Sequence, residues 1–453
     1  MTALQRSARA AVAVATIGTD YAWTFGAPGD LTRWLRAHWR LHLARTDGAD
    51  AGAGDEAAPH ADPVAQLCGA LSREDRRACH TRSAHRLLAL ARKNGGIYIK
   101  LGQHVSSMAQ ILPPEYIRIL RPLQDQCPMT PVAQLDAMLA QDTGRSIADW
   151  FVEFDPRPIG VASLAQVHRA RLRDPPPGLS DPWVAVKLQH PALAEHAPID
   201  IATCARLVFL VEKLFPSFRF GWIAEELATS LPVELAFDRE AEHARRAAQL
   251  FARDPVLRIP AVVWAGPRVL VMEYISGAGK LDDRAFMART GIEPAHVARE
   301  LGRVYAQMIF KDGFVHCDPH AGNLTSLIAA ATATPTPFDL VLLDHGLYRS
   351  LSTPFRLDYA RLWASLIAGD RAAIEQRTAN LLREWAPGAE APPIRGATRL
   401  GVARSRSEAD IIADKIASGE FVLAVAKVLS QLPPELVLLV KTHDLLRHTD
   451  EVL

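Results

Sequence analysis

The spacing of apolar residues changes repeatedly along the chain, and each change marks an element. From Ser83 to Met108 the spacing is helical: Leu87, Leu88, Leu90 and Ala91, then Ile97, Ile99, Leu101, Val105 and Met108. Gly95-Gly96 divides this stretch into two predicted helices. Pro113-Pro114-Glu115 opens a further helix, because a first turn tolerates proline. Residues 132–151 read as another, ending before Pro156. The period then shortens. Val161–Ala170 and Trp183–Leu188 are short apolar or alternating runs around the turn-forming Asp174–Asp181, a β-hairpin signature. Helical spacing returns over 199–251. Val262–Val263 and Val269–Tyr274 read as strands joined by a Gly266-Pro267 turn, Pro294–Phe310 as a helix, Val341–Leu343 as a strand, and most of the chain after Pro354 as helix. Residues 46–66, rich in Gly, Ala and Asp, read as a flexible linker. Ala329–Pro337 reads as an exposed low-complexity loop. No internal repeat is visible.

Composition narrows the class. The 453 residues suffice for two or three domain-sized units. Apolar residues at 49% and charged residues at 22% are ordinary for a globular protein. A net charge of +1 gives no strong pull toward nucleic acid. The five cysteines, Cys68, Cys79, Cys127, Cys204 and Cys317, have no metal-ligand spacing and read as reduced thiols. Residues 1–19 contain no acid and carry Arg6 and Arg9 among Ala, Ser and Thr, a transit-peptide composition. The alternative is an Ala-rich first helix. Residues 20–45 interleave Trp23, Trp34 and Trp39 with Arg33, Arg36, Arg40 and Arg45, which suits either a membrane interface or a helix packed on the main body.

The chemistry lies in three fragments. His316-Cys317-Asp318 is an H-x-D unit with Asn323 five residues on, and Asp344-His345-Gly346 follows an apolar strand. In a phosphoryl transferase of the protein-kinase type the first Asp serves the acceptor, while the Asn and second Asp hold metal on the nucleotide phosphates. Val184-Ala185-Val186-Lys187 places a lysine at the end of a buried strand, where in kinases such a lysine contacts the nucleotide phosphates. A buried ammonium needs an acid, and Glu234 and Glu240 on the following helical stretch are the candidates. No G-x-G-x-x-G precedes Lys187. Gly160-Val161-Ala162-Ser163 is the equivalent stretch, small enough for close backbone approach. His320 and His345 read as structural.

With these motifs in hand, residues 80–450 resemble the UbiB group of atypical kinase-like proteins, the aarF-domain-containing kinases. Lys100-Leu101-Gly102-Gln103 resembles its K-x-G-Q signature and Gly160–Ser163 its Ala-rich loop. Lys187 resembles its strand lysine and Met272-Glu273-Tyr274 its hinge. The wording Asp344–Tyr348 is most similar to the mitochondrial branch. The family's E-x-D motif is altered here, because Glu234-Leu235-Ala236 carries Ala in place of the second acid and Asp238 is two residues out of register.

The resemblance implies an α+β, bilobal protein-kinase-like fold with extra N-terminal helices. The divisions would be a targeting and membrane-interface segment 1–45, linker 46–66, family helices 67–154, N-lobe 155–275 and helical C-lobe 276–453. It also implies ATP and Mg²⁺ as cofactors. Asp318, Lys187, Glu240 and Glu234 would be catalytic. Gly160–Ser163, Glu273, Tyr274, Lys100 and Gln103 would lie at the nucleotide, and Asn323 and Asp344 at the metal. The K-x-G-Q helix is expected to restrict protein acceptors. The expected function is an organelle kinase or ATPase tied to membrane lipid or quinone homeostasis, with a nucleotide, a lipid surface and organelle proteins as partners, in the mitochondrion or alternatively the plastid. The rivals are a silent lipid-binding scaffold and a small-molecule phosphotransferase.

Overall fold

The computed structural model describes residues 2–25, 73–106, 112–124, 127–177, 179, 181–214, 221–318, 324–328, 338–385 and five positions between 439 and 447. The chain opens with helices α1 (Ala3–Phe25), α2 (Arg73–Asn94), α3 (Ile97–Ser106) and α4 (Pro114–Leu120), then a 3-10 turn at Arg121–Gln124. Helices α5 (Val132–Thr143) and α6 (Ile147–Trp150) lead into strands β1 (Phe151–Phe154), β2 (Gly160–Val161), β3 (Ala165–Leu172) and β4 (Trp183–Gln189). Three helices follow: α7 (Ala192–Leu214), α8 (Gly221–Glu234) and α9 (Phe237–Leu250). Strands β5 (Leu257–Arg258), β6 (Val262–Ala265), β7 (Val269–Glu273) and β8 (Gly279–Lys280) precede α10 (Arg284–Thr290) and α11 (Pro294–Ala306). A π-helical turn at Gln307–Asp312, strands β9 (Phe314–His316), β10 (Leu324–Ile328), β11 (Phe338–Leu342) and β12 (Tyr348–Ser350) and helices α12 (Thr353–Ala368) and α13 (Arg371–Trp385) complete the described elements.

The chain forms two compact units. One comprises Met1–Cys127, Ala194–Glu225 and Arg406–Ala426; the other comprises Pro128–Leu193, Glu226–Ser405 and Lys427–Leu453. Helix α5 and strand β1 thus belong with the second unit rather than with the helices before them.

In the first unit, α1 packs on α2 and α2 on α4. Gly95 and Gly96, at φ 69° and 51°, make the expected break between α2 and α3. Arg6 is buried on α1 and grips Asp200 of α7 with both Nε and a terminal nitrogen, while Asn94 closes the loop onto the Arg6 carbonyl. Arg6 therefore has a structural role, and the N-terminal segment forms an Ala-rich helix. Trp23 is exposed. Trp34, Trp39 and the arginines of 33–45 lie outside the described residues, as do the 46–66 linker, Cys68 and the 329–337 loop.

The second unit contains a sheet of order β1-β3-β4-β7-β6, with β2 beside β3. Period-two alternation in β4 decides its two faces. Val184, Val186 and Leu188 join a core with Leu135, Met138 and Leu139 of α5. Ala185 turns the other way, into a cluster with Phe237 and Ala241 of α9. A second sheet, β5-β11-β10-β8, and the pair β12-β9 carry the loops after β9 and β11.

Three sequence expectations are corrected. The helix expected over 132–151 is two helices and a strand, because Gly144 closes α5 in the left-handed conformation and a Ser146–Asp149 capping box starts α6. The first run of the hairpin begins at Ala165, since Ala162–Leu164 form a turn out of β2. The helix expected over 199–251 is broken at Leu235–Ala236, which takes Ala236 off any helix face and leaves Asp238 exposed in the first turn of α9.

Candidate active site

Lys187 lies on the face of β4 that meets α9. Its ammonium donates to both carboxylate oxygens of Glu240, at 2.6 and 2.8 Å, and to Asp344 Oδ2 at 3.2 Å. The Phe237 ring lies 5.1 Å from Nζ and forms a cation–π contact. The close approach has a sequence cause. Ala241, Ala244 and Ala247 share the inner face of α9 with Glu240, so the helix sits low on the sheet.

The electrostatics are lopsided. Burial alone would lower the Lys187 pKa, but Asp344 and Glu240 outweigh it and hold the ammonium charged. Glu240, 2% exposed, is pushed up to about 7, chiefly by burial, against the opposing pull of Lys187. One ammonium facing two carboxylates leaves a net negative group, and the more buried acid carries the cost. Asp344, at 38% side-chain exposure, is the acid open to a ligand.

Asp344 follows β11, four of whose five residues are buried. Its Oδ1 accepts the Gly346 N–H at 2.9 Å, and a Cβ at Gly346 would crowd that oxygen at 3.1 Å. Between them His345 is buried. Its Nε2–H donates to the Leu342 carbonyl and its Nδ1 accepts from the Tyr348 hydroxyl. Burial, above all, lowers its pKa to about 3 and keeps the ring neutral. That is the packing role expected of it. The antiparallel pair β9–β12 sets His316 opposite Tyr348, and the Cys317 N–H donates to the Leu347 carbonyl. This pairing brings the H-x-D loop, with half-buried Asp318, beside the Asp344 loop.

The Ala-rich loop is anchored at its turn. His190 Nε2–H donates to the Ala162 carbonyl, and His190 Nδ1 accepts from Thr130 Oγ1. Gln166 Oε1 accepts the Thr130 N–H, and its Nε2 donates to the Thr130 carbonyl and to His168 Nε2. Ser163 is buried, Val161 half-buried, and Gly160 and Ala162 exposed. Gly160 has open space where a side chain would stand and an ordinary φ, so the site itself does not demand glycine there.

The ABC1 atypical kinase-like domain matches residues 122–378. The chain belongs to the ABC1 family. The ABC1 family protein MCP2 homolog of Schizosaccharomyces pombe is 38% identical to it over 387 residues, covering 82% of this chain and 68% of that protein. AarF domain-containing protein kinase 1 of Xenopus tropicalis is 40% identical over 387 residues, covering 81% and 70%. ABC1 family protein MCP2 of Saccharomyces cerevisiae is 38% identical over 392 residues, covering 83% and 68%. The fold is accordingly the kinase-like α+β fold that the motifs implied.

For this ABC1 chain the structure joins Lys187, Glu240 and Asp344 directly. It does not make Glu234 the lysine's partner. Glu234 ends α8 and borders Gly346, its Cγ 3.9 Å from where a Cβ there would stand. Glu273 pairs with Arg258 and receives the Ala261 N–H, so its side chain serves the strand edge. Tyr274 packs near the Arg169 guanidinium, 5.1 Å away, and its N–H donates to the Trp183 carbonyl. Asn323 and His320 lie outside the described residues.

Lys100 and Gln103 lie on α3 of the first unit. There Gln103 Nε2 donates to the Leu123 carbonyl, and Gly102 leaves room for the Leu123 side chain. Two letters of the K-x-G-Q motif thus have a packing reason. One residue escaped the sequence reading. His243 lies three places after Glu240, on the same helix face, and its Nδ1 is 3.0 Å from the His345 carbonyl oxygen. The signal available was that i,i+3 spacing.

The donor set fits a metal held largely by phosphate and water. Mg²⁺ in nucleotide sites takes one or two protein carboxylates, and Asp344 offers one, half-open and already oriented by Gly346. Among the described residues no cluster of three or more acid, His or Cys ligands exists that would hold an ion unaided.

Proposed function

We propose that this ABC1 chain is an ATP- and Mg²⁺-dependent atypical kinase or ATPase. The single observation that carries the reading is the Lys187 ammonium held between Glu240 and Asp344. A charged donor is thereby fixed next to an accessible acid, which is the pairing phosphoryl transfer requires. Glu240 keeps Lys187 extended from the sheet toward the nucleotide phosphates. Lys187 supplies a fixed positive charge there, and the Ala162 loop supplies backbone for close approach. Asp318 accepts or orients the acceptor proton. Bound Mg²⁺, held by Asp344 and Asn323, would neutralise charge on the phosphates. It would also relieve the excess negative charge around Lys187.

The proposal extends to place and partner: a mitochondrial protein, or alternatively a plastid one, acting at a lipid surface in membrane lipid or quinone homeostasis. Support comes from the acid-free first nineteen residues. Support for the lipid surface comes from α1, which exposes Leu4, Val12 and Trp23. No helix among the described residues is long and apolar enough to cross a membrane. The near-neutral charge supports no nucleic-acid role.

The test is ATP binding and turnover by purified protein, with and without Mg²⁺ and with liposomes of organelle-type lipids. Mg²⁺-dependent binding with lipid-stimulated turnover is expected. Lipid binding without nucleotide binding would replace the enzyme with the scaffold reading, which the Ala236 substitution favours. Turnover with soluble alcohols, indifferent to lipid, would favour a small-molecule phosphotransferase.

A further inference from the structure

Helix α9 holds the Asp344 loop by a second grip, independent of Lys187. The His345 carbonyl is engaged by α9: His243, three residues after Glu240, stands with its Nδ1 3.0 Å from that oxygen. A carbonyl can only accept, so Nδ1 carries the proton. The His243 ring is itself held between aromatic neighbours, 5.3 Å from the Tyr348 ring and 5.8 Å from that of Phe314. Those two rings stack on each other, and Tyr348 also binds the His345 side chain. The donor is thus aimed by a packed wall rather than by a loop.

We propose that His243 is a positioning residue for the Asp344 loop: its Nδ1–H clamps the His345 carbonyl to α9, the helix that also carries Glu240, and so sets where the Asp344 carboxylate points. Movement of α9 away from the sheet would release the lysine and the metal loop together. Ligand-holding groups are aimed by such outer contacts, and losing one typically costs tenfold or more in metal affinity. The link to metal rests on the reading of Asp344 as a metal ligand. The clamp itself does not.

The experiment has two arms on the full chain, comparing wild type with His243→Asn, His243→Gln and His243→Leu. An Asn amide nitrogen can occupy the place of Nδ1. A Gln amide nitrogen reaches past it, and Leu has no donor. The first arm is hydrogen exchange over residues 342–348 without nucleotide or Mg²⁺. His243→Leu and His243→Gln should exchange about tenfold faster than wild type, the factor one net hydrogen bond is worth, and His243→Asn should stay near wild type. The second arm is calorimetric titration of ATP with and without Mg²⁺. The Mg²⁺-dependent gain in affinity should fall about tenfold in the Leu and Gln variants and persist in Asn.

Equal exchange in all four proteins would overturn the clamp. Asn behaving like Leu would also overturn it, and would leave ring packing as the residue's role. If wild type shows no Mg²⁺ effect, the Asp344 reading fails, and the exchange arm alone decides the clamp. If the Leu variant does not fold, the Asn–Gln contrast decides it.

Discussion

Lys187 faces two acids that are not equivalent. Asp344 is open and Glu240 buried, so each makes a different prediction. Asp344→Asn should cut the Mg²⁺-dependent gain in ATP affinity at least about tenfold. It should leave metal-free binding no weaker, because a negative charge that repels phosphate is gone. Calorimetry in Mg²⁺ and in chelator checks this, and an unchanged Mg²⁺ effect would sink the metal assignment.

Glu240 predicts a pH effect. Its pKa rises from the ordinary glutamate value to about 7 on folding, chiefly through burial. The folded protein therefore keeps a proton that the unfolded chain releases above its ordinary carboxyl pKa. The stabilising contribution is full below that value and is lost as pH rises through about 7. Glu240→Gln removes this titration. Urea unfolding from pH 4.5 to 7.5 should show wild type losing stability relative to the variant as pH rises. Parallel curves would count against the assignment.

At the scale of elements, two close approaches are made by small side chains. The inner alanines of α9 let it reach the sheet, and Gly102 lets α3 reach the turn at Arg121–Gln124. Leu123, 1% exposed, has nowhere to retreat. Gly102→Val should cost about 2 kcal/mol by overpacking, and should strain the Gln103 hydrogen bond to the Leu123 carbonyl. Chemical denaturation of the full chain measures it. A change below about 0.5 kcal/mol, the range of an ordinary surface substitution, would show that α3 and the turn can part freely. The same scale shows why Ala236 is tolerated: the chain leaves one helix and caps the next there, and no helix face is lost.

For the molecule as a whole, two compact units with separate cores predict two unfolding steps. The first unit rests on the Arg6–Asp200 pair and a cluster that includes Tyr98, Ile99 and Leu120. The second holds every described residue of the proposed phosphate and metal site. ATP with Mg²⁺ should therefore delay only one of two calorimetric transitions, by an amount that grows with the logarithm of its concentration. Arg6→Ala should bring the other forward by several kcal/mol, since it strands the Asp200 carboxylate in the interior. A single transition that moves under both treatments would refute separate units.

Local chemistry was enough to read the helix break at Gly95-Gly96, the proline-opened α4 and the β3–β4 hairpin, and to make Lys187, Asp318 and Asp344 candidates, of which Lys187 and Asp344 meet. Each depends on backbone preference or on motif spacing, which a linear chain carries in full. The partner of Lys187 could not be read that way. Glu234 and Glu240 are equally acidic and six residues apart. The choice between them was made by the break at Leu235–Ala236, where the Phe237 N–H is taken up by the Pro267 carbonyl of the β6–β7 turn. Likewise the burial that lifts Glu240 to about 7, and the meeting of His243 with the His345 carbonyl 102 residues away, exist only once α9 lies on the sheet. Spacing along the chain encodes periodicity and turn chemistry. Distance, burial and the sharing of one ammonium between two carboxylates are made by packing.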